Sequence, residues 1–322
     1  MQTYLGIDVG SVTTKLAVLD GHDELVNHVY LLTQGRPIDM IQEGLREIRK
    51  QLPADCDICG VATTGSARYL AGVIVGADLV KNEITAHAVA ALHYFPDVRT
   101  IMEIGGQDSK ITIVRDGIVT DFAMNTVCAA GTGSFLDHQA LRLDMSIEEL
   151  SQRALASSAP VRIAGRCTVF AESDMVHKQQ MGHRVEDILY GLCQALVRNY
   201  LSNVGLGKDI QTPIMFQGGV AFNQSIIRAL REELGMEIIV PPHHEIMGAI
   251  GAALLVHEEM ATGDSSSHFK GFDQSEVKYS TSTFECKACP NNCEIARLSL
   301  NGKALAHWGG RCDMWERVAA TE

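Results

Sequence analysis

The stretch that decides the fold is residues 101–137, IMEIGGQDSKITIVRDGIVTDFAMNTVCAAGTGSFLD. An apolar run turns at Gly105 and Gly106 and resumes as a second hydrophobic run, which predicts a β-hairpin. Glycines at such a tip let a phosphate group approach the backbone amides closely. Cys128 follows in the same stretch and precedes a predicted helix, whose positive end favours a thiolate. The stretch therefore predicts a nucleotide site joined to a reactive or metal-binding cysteine.

A second hairpin with the same pattern lies near the N-terminus. Its acid, glycine and lysine match those of the first stretch at a constant offset of 95 residues: Asp8 with Glu103, Gly10 with Gly105, and Lys15 with Lys110. A repeat within a sequence indicates a repeated structural unit. This one predicts two related halves, each with a phosphate-binding hairpin, that face each other across a cleft. The alternative is two unrelated hairpins with similar turns.

The composition indicates a soluble globular protein of about two domains plus a small appendage. The chain has 322 residues, of which 46% are hydrophobic and 20% are charged. The net charge of −12 argues against a general nucleic-acid binder, which normally has a basic face. The N-terminus lacks a signal-peptide pattern, and no apolar run approaches the ~20 residues that a membrane span needs. We expect a cytoplasmic protein that binds neither nucleic acid nor a membrane.

Two further segments offer candidate site residues. Glu83 lies near the start of a predicted alanine-rich helix and is a candidate site carboxylate, although a first-turn glutamate is also favoured by the helix dipole. Gly218 and Gly219 follow a predicted buried strand and precede a helix. A glycine pair in that position lets a ligand lie against the backbone.

The nine cysteines are expected to be thiols or metal ligands, because disulfides are rare in chains without an export signal. Cys56 and Cys59 form a CxxC pair, which could be a redox pair but is more typical of strand residues in a core. Cys193, among apolar neighbours, is also predicted to be a core residue.

Five motifs in order resemble those of the actin–Hsp70–sugar kinase ATPase superfamily, whereas neither a Walker A nor a Rossmann glycine motif occurs. The segments IDVGSVTTKLAV and EIGGQDSKITIV resemble its two phosphate motifs, and NEITAHAVAA resembles its connecting helix. FQGGVAFN resembles the adenosine motif and GAIGAALL the closing helix. The resemblance covers most of residues 4–256. One departure is Glu103, where an aspartate is common.

The resemblance implies an α/β fold of two duplicated ribonuclease H-like (actin-like ATPase) halves around a nucleotide cleft. Residues 1–85 and 247–260 would form half I, and residues 86–246 half II. ATP or ADP would bind with Mg²⁺ in the cleft. The acids that would hold magnesium through water and position the attacking water are Asp8, Glu103 and Glu83. The residues that would contact the nucleotide are Gly10, Ser11, Val12, Thr13, Thr14, Lys15, Gly105, Gly106, Gln107, Asp108, Ser109, Lys110, Gly218, Gly219 and Asn223.

Two cysteine motifs restrict the resemblance to one group within this superfamily. VCAAGTGSFLD and RCTVFAESD are similar to segments of the activator ATPases of 2-hydroxyacyl-CoA dehydratases and the related ATP-binding subunits of benzoyl-CoA reductases. In that family Cys128 and Cys167 would ligate one [4Fe-4S] cluster shared by two subunits, which implies a homodimer. A cluster needs about four thiolates, and each chain of a symmetric dimer supplies two, each of them just before a predicted helix. The alternative is two unrelated buried thiols.

The implied function is that of an ATP-dependent reductive activator. Hydrolysis of ATP would drive one-electron transfer to a dehydratase or related reductase, with ferredoxin or flavodoxin as the electron donor. Two alternatives stay open, a small-molecule kinase of the same superfamily and a regulatory ATPase without redox work.

The C-terminal residues depart from the compact members of this family. Residues 261–283, rich in Ser, Thr, Gly and Asp, are predicted to be a linker. Residues 284–322 are predicted to be a separate zinc-ribbon-like tail with four metal ligands, Cys286, Cys289, Cys293 and Cys312. Four thiolates suit tetrahedral Zn²⁺ and equally suit a second iron–sulfur cluster.

Overall fold

The chain divides into two units. The computed structural model describes residues 1–53, 55–125, 127–165, 167–262, 266–312 and 314–315. The first unit comprises residues 1–87 and 248–322, and the second comprises residues 88–247. Each unit has its own five-stranded sheet and its own hydrophobic core.

The sheet of the first unit has the strand order β3-β2-β1-β4-β5. Its strands are β1 (Gln2–Val9), β2 (Thr13–Asp20), β3 (Leu25–Leu32), β4 (Asp57–Thr64) and β5 (Leu79–Val80). The first three strands pair antiparallel, while β4 joins β1 and β5 joins β4 in parallel.

The sheet of the second unit repeats this topology. Its strands are β6 (Thr100–Ile104), β7 (Ser109–Arg115), β8 (Ile118–Asn125), β9 (Ile214–Gln217) and β10 (Ile238–Ile239). Their order is β8-β7-β6-β9-β10, with the same succession of antiparallel and parallel pairs. The predicted duplication of an α/β half is therefore confirmed.

Helices cover both sheets. In chain order they are α1 (Pro37–Gln51), α2 (Arg68–Val75), α3 (Glu83–Tyr94), α4 (Gly133–Arg142), α5 (Ile147–Leu155), α6 (Thr168–Gln180), α7 (Val185–Tyr200), α8 (Gln224–Leu234) and α9 (Met247–Thr262). A single π-helical turn, Leu201–Gly205, continues α7. None of the described helices is long and apolar enough to cross a membrane.

Small residues let α9 lie directly on the first sheet. A Cβ at Gly6 of β1 would be only 1.9 Å from the carbonyl oxygen of Ala249, so only glycine fits there. Gly251 makes an equally close approach to the carbonyl of Ala86 on α3. The small-residue composition of α3 and α9 is therefore explained by close backbone packing, which places their ends near β1.

The C-terminal residues belong to the first unit. They form an antiparallel sheet of β11 (Tyr279–Glu285), β12 (Glu294–Leu300) and β13 (Lys303–Trp308), with a turn at Asn301 and Gly302 between the last two strands. Leu298 of β12 is fully buried in the same apolar cluster as residues of β1, α1 and α2. The sheet is too small to bury its apolar residues by itself, and it packs them against the first unit.

The predicted linker, residues 261–283, differs from the structure. It includes the end of α9, a 3-10 turn at Phe272–Glu276 and much of β11. Gln42 Nε2 of α1 donates to the carbonyls of Gln274 (2.8 Å) and Val277 (2.7 Å). A polar composition favoured a linker, but scattered aromatic residues such as Phe272 pack on the first core.

Candidate functional site

Each unit presents a hairpin in which an acid faces a lysine across the strands. In the first unit Asp8 pairs with Lys15, with 3.0 Å between Oδ2 and Nζ. In the second unit Glu103 pairs with Lys110, with 3.0 Å between Oε1 and Nζ. Asp108 also lies 3.0 Å from the Lys110 ammonium. The acid–lysine pair is therefore a shared feature of the two hairpins.

The hairpin tips share the same backbone geometry. The amide of Gly10 donates to the carbonyl of Thr13 at 2.9 Å, and the amide of Gly105 donates to that of Asp108 at 2.9 Å. Among the described residues, the tip amides of Ser11 and Gly106 donate to no backbone carbonyl. Exposed amides beside a lysine form a concave anion site, which suits a phosphate group.

Glycines surround the Asp8 carboxylate, which is only 4% exposed. A Cβ at Gly65, whose φ is +87°, would be 2.5 Å from Oδ1. A Cβ at Gly248, the first residue after Met247 in α9, would be 2.7 Å from Oδ2 and 2.8 Å from Nε2 of His87. Sequence analysis did not place Gly65, His87 or Gly248 at the site, although Gly248 lay in a recognised motif.

The second unit has an equivalent glycine beside Glu103. The β6–β9 register sets Glu103 opposite Gln217, just as the β1–β4 register sets Asp8 opposite Thr64. Gly218 follows with φ +93°, and a Cβ there would be 2.6 Å from the carbonyl oxygen of Ile104. Gly65 is therefore the counterpart of Gly218, and comparing the strands that follow the two hairpins could have identified it.

Two buried hydroxyl groups at the hairpins have no hydrogen-bond partner in the described part of the chain. They are Oγ1 of Thr64, opposite Asp8, and Oγ of Ser109, at the start of β7. Such groups are costly unless a water, ion or ligand satisfies them. A carboxylate and a free hydroxyl are oxygen ligands of the type that Mg²⁺ takes, usually with water between. The residues around Asp8 therefore fit a magnesium site.

Glu83 is the first residue of α3, as predicted. Asn82 precedes it and caps the helix, since its Oδ1 accepts from the amide of Thr85 at 2.9 Å. Asp8 and Glu83 belong to the same unit. A role for the Glu83 carboxylate in catalysis stays a prediction.

Asn223 has a structural role besides the predicted contact with adenosine. Its Oδ1 accepts from the amides of Ser225 (3.1 Å) and Ile226 (3.2 Å) and so caps α8. Its Nδ2 is buried and has no partner within the described residues. The capping role uses only the carbonyl oxygen, so the amide nitrogen is available to a ligand.

Cys128 and Cys167 both lie at helix starts in the second unit, as expected. Cys128 precedes a 3-10 turn, Ala129–Gly131, which leads into α4, and Cys167 is the residue before α6. Both are half-buried, and neither side chain caps its helix. Beside them in sequence, Val127 is 95% exposed and Phe170 68% exposed. Accessible thiols among exposed apolar side chains fit a metal cluster at a protein interface.

The second hairpin contacts the segment that follows Cys128. The amides of Gly133 and Ser134, at the start of α4, donate to the carbonyls of Gly105 and Gly106 at 2.8 Å each. A movement of the hairpin tip therefore acts directly on the N-terminus of α4.

The remaining cysteines separate into core and tail residues. Cys56 packs with the cluster that contains α1 and α2, whereas Cys59 packs with the cluster that contains α9, so they occupy different parts of the core. Burial raises the pKa of the Cys193 thiol to about 12, which keeps it protonated. These contacts support the interpretation of all three as core residues.

The tail cysteines lie around the loop between β11 and β12. The amide of Cys286 donates to the carbonyl of Cys293 at 2.8 Å and closes that loop. Nε1 of Trp315 donates to Sγ of Cys286 at 3.2 Å, and this bond lowers the pKa of the thiol. Among the residues described, no three tail sulfur atoms lie within 4.8 Å of one another. A four-ligand centre in the tail stays a prediction.

Known proteins share both the sequence and the fold. Residues 5–256 match the BadF/BadG/BcrA/BcrD ATPase family. The (R)-2-hydroxyglutaryl-CoA dehydratase activating ATPase of Acidaminococcus fermentans is 35% identical over 264 residues, which are 80% of this chain and 98% of that protein. The solved activator of the 2-hydroxyisocaproyl-CoA dehydratase from Clostridium difficile with bound ADPNP has a TM-score of 0.72 at 31% identity, covering 86% of this chain and 98% of that one.

A more distant structure shares the fold alone. A ROK family glucokinase from Streptomyces griseus has a TM-score of 0.50 at 11% identity and covers 80% of this chain and 99% of its own. The duplicated halves and their acid–glycine hairpins define an α/β fold of the actin-like type. The chain belongs to the BadF/BadG/BcrA/BcrD ATPase family. The residues after 256, including the tail, lie outside that match.

Proposed function

We propose that this ATPase activates a partner enzyme, a 2-hydroxyacyl-CoA dehydratase or a related reductase, by ATP-dependent electron transfer. The observation that carries the proposal is the contact between Gly105 and Gly106 of the second phosphate hairpin and the start of α4, just after Cys128. The activator names of the relatives give the partner class. A nucleotide that changes the conformation of the hairpin tip can therefore shift the start of α4 and the segment that carries Cys128.

The hairpins supply the nucleotide chemistry in this proposal. Backbone amides at both tips bind phosphate oxygens, and Lys15 and Lys110 add positive charge beside them. The acids that would hold magnesium through water and position the attacking water are Asp8 and Glu83 of the first unit and Glu103 of the second. Because Asp8 is held by Lys15 and enclosed by glycines, its carboxylate is positioned before ATP binds.

Cys128 and Cys167 would hold the [4Fe-4S] cluster together with the same two residues of a second chain. When bound, such a cluster supplies one-electron transfer at low potential. The chain's own contribution is to place both thiolates at helix starts, where the helix dipole stabilises the anionic ligand set. Ferredoxin or flavodoxin would be the electron donor.

The test is iron content and partner reduction after anaerobic purification. Cys128→Ala and Cys167→Ala should each lose the iron of this cluster and the colour that it gives, because symmetry removes two of four ligands at once. The matched control is Cys193→Ala, which changes a core thiol of the same unit and should keep the iron. ATP binding should survive in all three variants. Full iron content in either of the first two would contradict the assignment.

We also propose that the tail cysteines bind a metal ion, Zn²⁺ or the iron of a second cluster. The supporting observation is that Gly309 lies against the carbonyl of Glu294, so the segment that leads to Cys312 returns to the loop of Cys286 and Cys293. Metal analysis of Cys289→Ser should show one metal centre fewer than the wild type, with the Cys128–Cys167 iron retained. Unchanged metal content would contradict the tail site.

A further inference from the structure

The end of α7 contacts three separate segments of the second unit. Its last two residues, Asn199 and Tyr200, are 5% and 0% exposed. The helix then changes to the π-helical turn Leu201–Gly205, a form that is frequent at functional sites. No role in the proposed function has so far been given to these residues.

Tyr200 holds the second phosphate hairpin. Its hydroxyl donates to the carbonyl of Lys110 on β7 at 2.7 Å, and the Lys110 ammonium bonds to Glu103. Burial and the nearby Glu103 carboxylate raise the pKa of Tyr200 well above its ordinary value. The phenol therefore stays protonated and remains a hydrogen-bond donor.

Asn199 contacts both cysteine loops, which are residues 161–165 before Cys167 and the 3-10 turn Ala129–Gly131 after Cys128. Its Nδ2 donates at 2.6 Å to the carbonyl of Gly165, two residues before Cys167. A Cβ at Gly131, which follows Cys128, would be 2.8 Å from Oδ1 of Asn199 and 3.3 Å from the backbone of Tyr200.

The orientation of Asn199 is fixed by the π-helical turn, since Nδ2 of Asn203 donates to its Oδ1 at 2.8 Å. Two adjacent side chains thus join a nucleotide hairpin to the loops of both cysteines. No hydrogen bond joins this hairpin directly to the loop before Cys167 in the described chain, whereas the α4 contacts give Cys128 a second route.

We propose that Asn199 and Tyr200 are positioning residues that transmit the nucleotide state of the second hairpin to the two cysteine loops. The inference rests on the proposed function. A shift of β7 at Lys110 displaces the Tyr200 ring, and Asn199 moves with it because the two residues share a helix turn. The Cys167 loop depends on this link, and the Cys128 loop depends on it in part.

The experiment measures thiol accessibility in the full-length, cluster-free chain. Iodoacetamide alkylation is followed at each cysteine by peptide mass spectrometry, with saturating Mg-ADP or Mg-ADPNP. Cys59, which is half-buried like Cys128 and Cys167 but belongs to no proposed metal site, is the internal reference. The key variant is Tyr200→Phe, which removes one hydroxyl. Its matched control is Tyr190→Phe on the same helix, where the hydroxyl bonds Glu232 of α8 at 2.6 Å.

We expect wild type and Tyr190→Phe to show different Cys167 rates with the two nucleotides, and Tyr200→Phe to show equal rates. Asn199→Ala should give the same loss at Cys167, while Cys128 keeps part of its difference through α4. If Tyr200→Phe and Asn199→Ala keep the full difference, the link is wrong although the proposed function stands. If both tyrosine variants lose it, the effect is not specific to the link, which overturns it. Equal rates in the wild type would overturn the link and the proposed coupling together.

Discussion

The two halves have the same sheet and the same hairpin, but they differ between the third and fourth strands. In the first unit α1 is the one helix between β3 and β4 among the described residues. In the second unit α4, α5, α6 and α7 lie between β8 and β9, and this segment contains Cys128 and Cys167. The duplicated scaffold thus carries the candidate cluster ligands, Cys128 and Cys167, in its second half. In the proposed function each half contributes a phosphate hairpin, whereas the cysteines of the electron-transfer step belong to the second half.

The largest effect, on the rate of ATP hydrolysis, should come from Asp8, the acid of the first hairpin. Asp8→Asn keeps the size of the side chain but removes the charge that would order magnesium-bound water, so ATP hydrolysis should fall by at least about 100-fold. Steady-state phosphate release measures this. Asp20→Asn, at the end of β2 that is farther from the hairpin tip, is the control and should leave hydrolysis unchanged. Equal activity of Asp8→Asn and wild type would remove Asp8 from the site.

The next effect, on the free energy of unfolding, concerns the equivalent residues Gly65 and Gly218. Alanine at either position adds a clash with backbone or carboxylate atoms to a positive φ, and should destabilise its unit by more than about 3 kcal/mol. Gly235→Ala is the matched control, since its φ is +63° but nothing lies within 4 Å of the added Cβ. It should cost only about 1 kcal/mol. Denaturant unfolding measures all three, and equal small costs would argue against close packing behind the hairpins.

A substitution in β12 tests whether the C-terminal sheet contributes to the stability of the first unit. Leu298→Ala removes a fully buried side chain of β12 and should lower the stability of the first unit by about 3 kcal/mol. Ser280→Ala on β11 is exposed and serves as the control. Hydrogen exchange of α1 measures the effect. Unchanged protection of α1 in Leu298→Ala would mean that the tail is energetically separate.

The smallest effect concerns one pair of equivalent hydroxyls. Oγ1 of Thr14 bonds to Oγ1 of Thr33 at 3.0 Å, whereas Oγ of its counterpart Ser109 has no partner in the described chain. Thr14→Val should cost about 1 kcal/mol without nucleotide, while Ser109→Ala should be nearly neutral or stabilising. With ATP present, Ser109→Ala should lose part of the stabilisation that the nucleotide gives. Thermal unfolding with and without ATP separates the two. Equal costs for the two variants would remove the distinction.

Sequence alone predicted the duplicated halves, because the acid, glycine and lysine of each hairpin have a fixed spacing that pairs them across two strands. It also placed Cys128 and Cys167 at helix starts. It missed Gly65, His87 and Gly248, since their role depends on contacts between segments far apart in the chain. It separated the tail from the first half because the polar composition of residues 261–283 does not show that Phe272 packs on the first core or that Leu298 is buried in it. The link at Asn199 and Tyr200 likewise has no local sequence signature.

The central claim is that nucleotide binding acts on Cys128 and Cys167. The most direct measurement is the rate at which an iron chelator removes iron from the anaerobically purified protein with ATP, with ADP and with no nucleotide. We predict faster removal with ATP than with ADP, because movement of the second hairpin changes the start of α4 and the cysteine loops. Equal rates under the three conditions would contradict the account, since the hairpins would then not act on the cysteines.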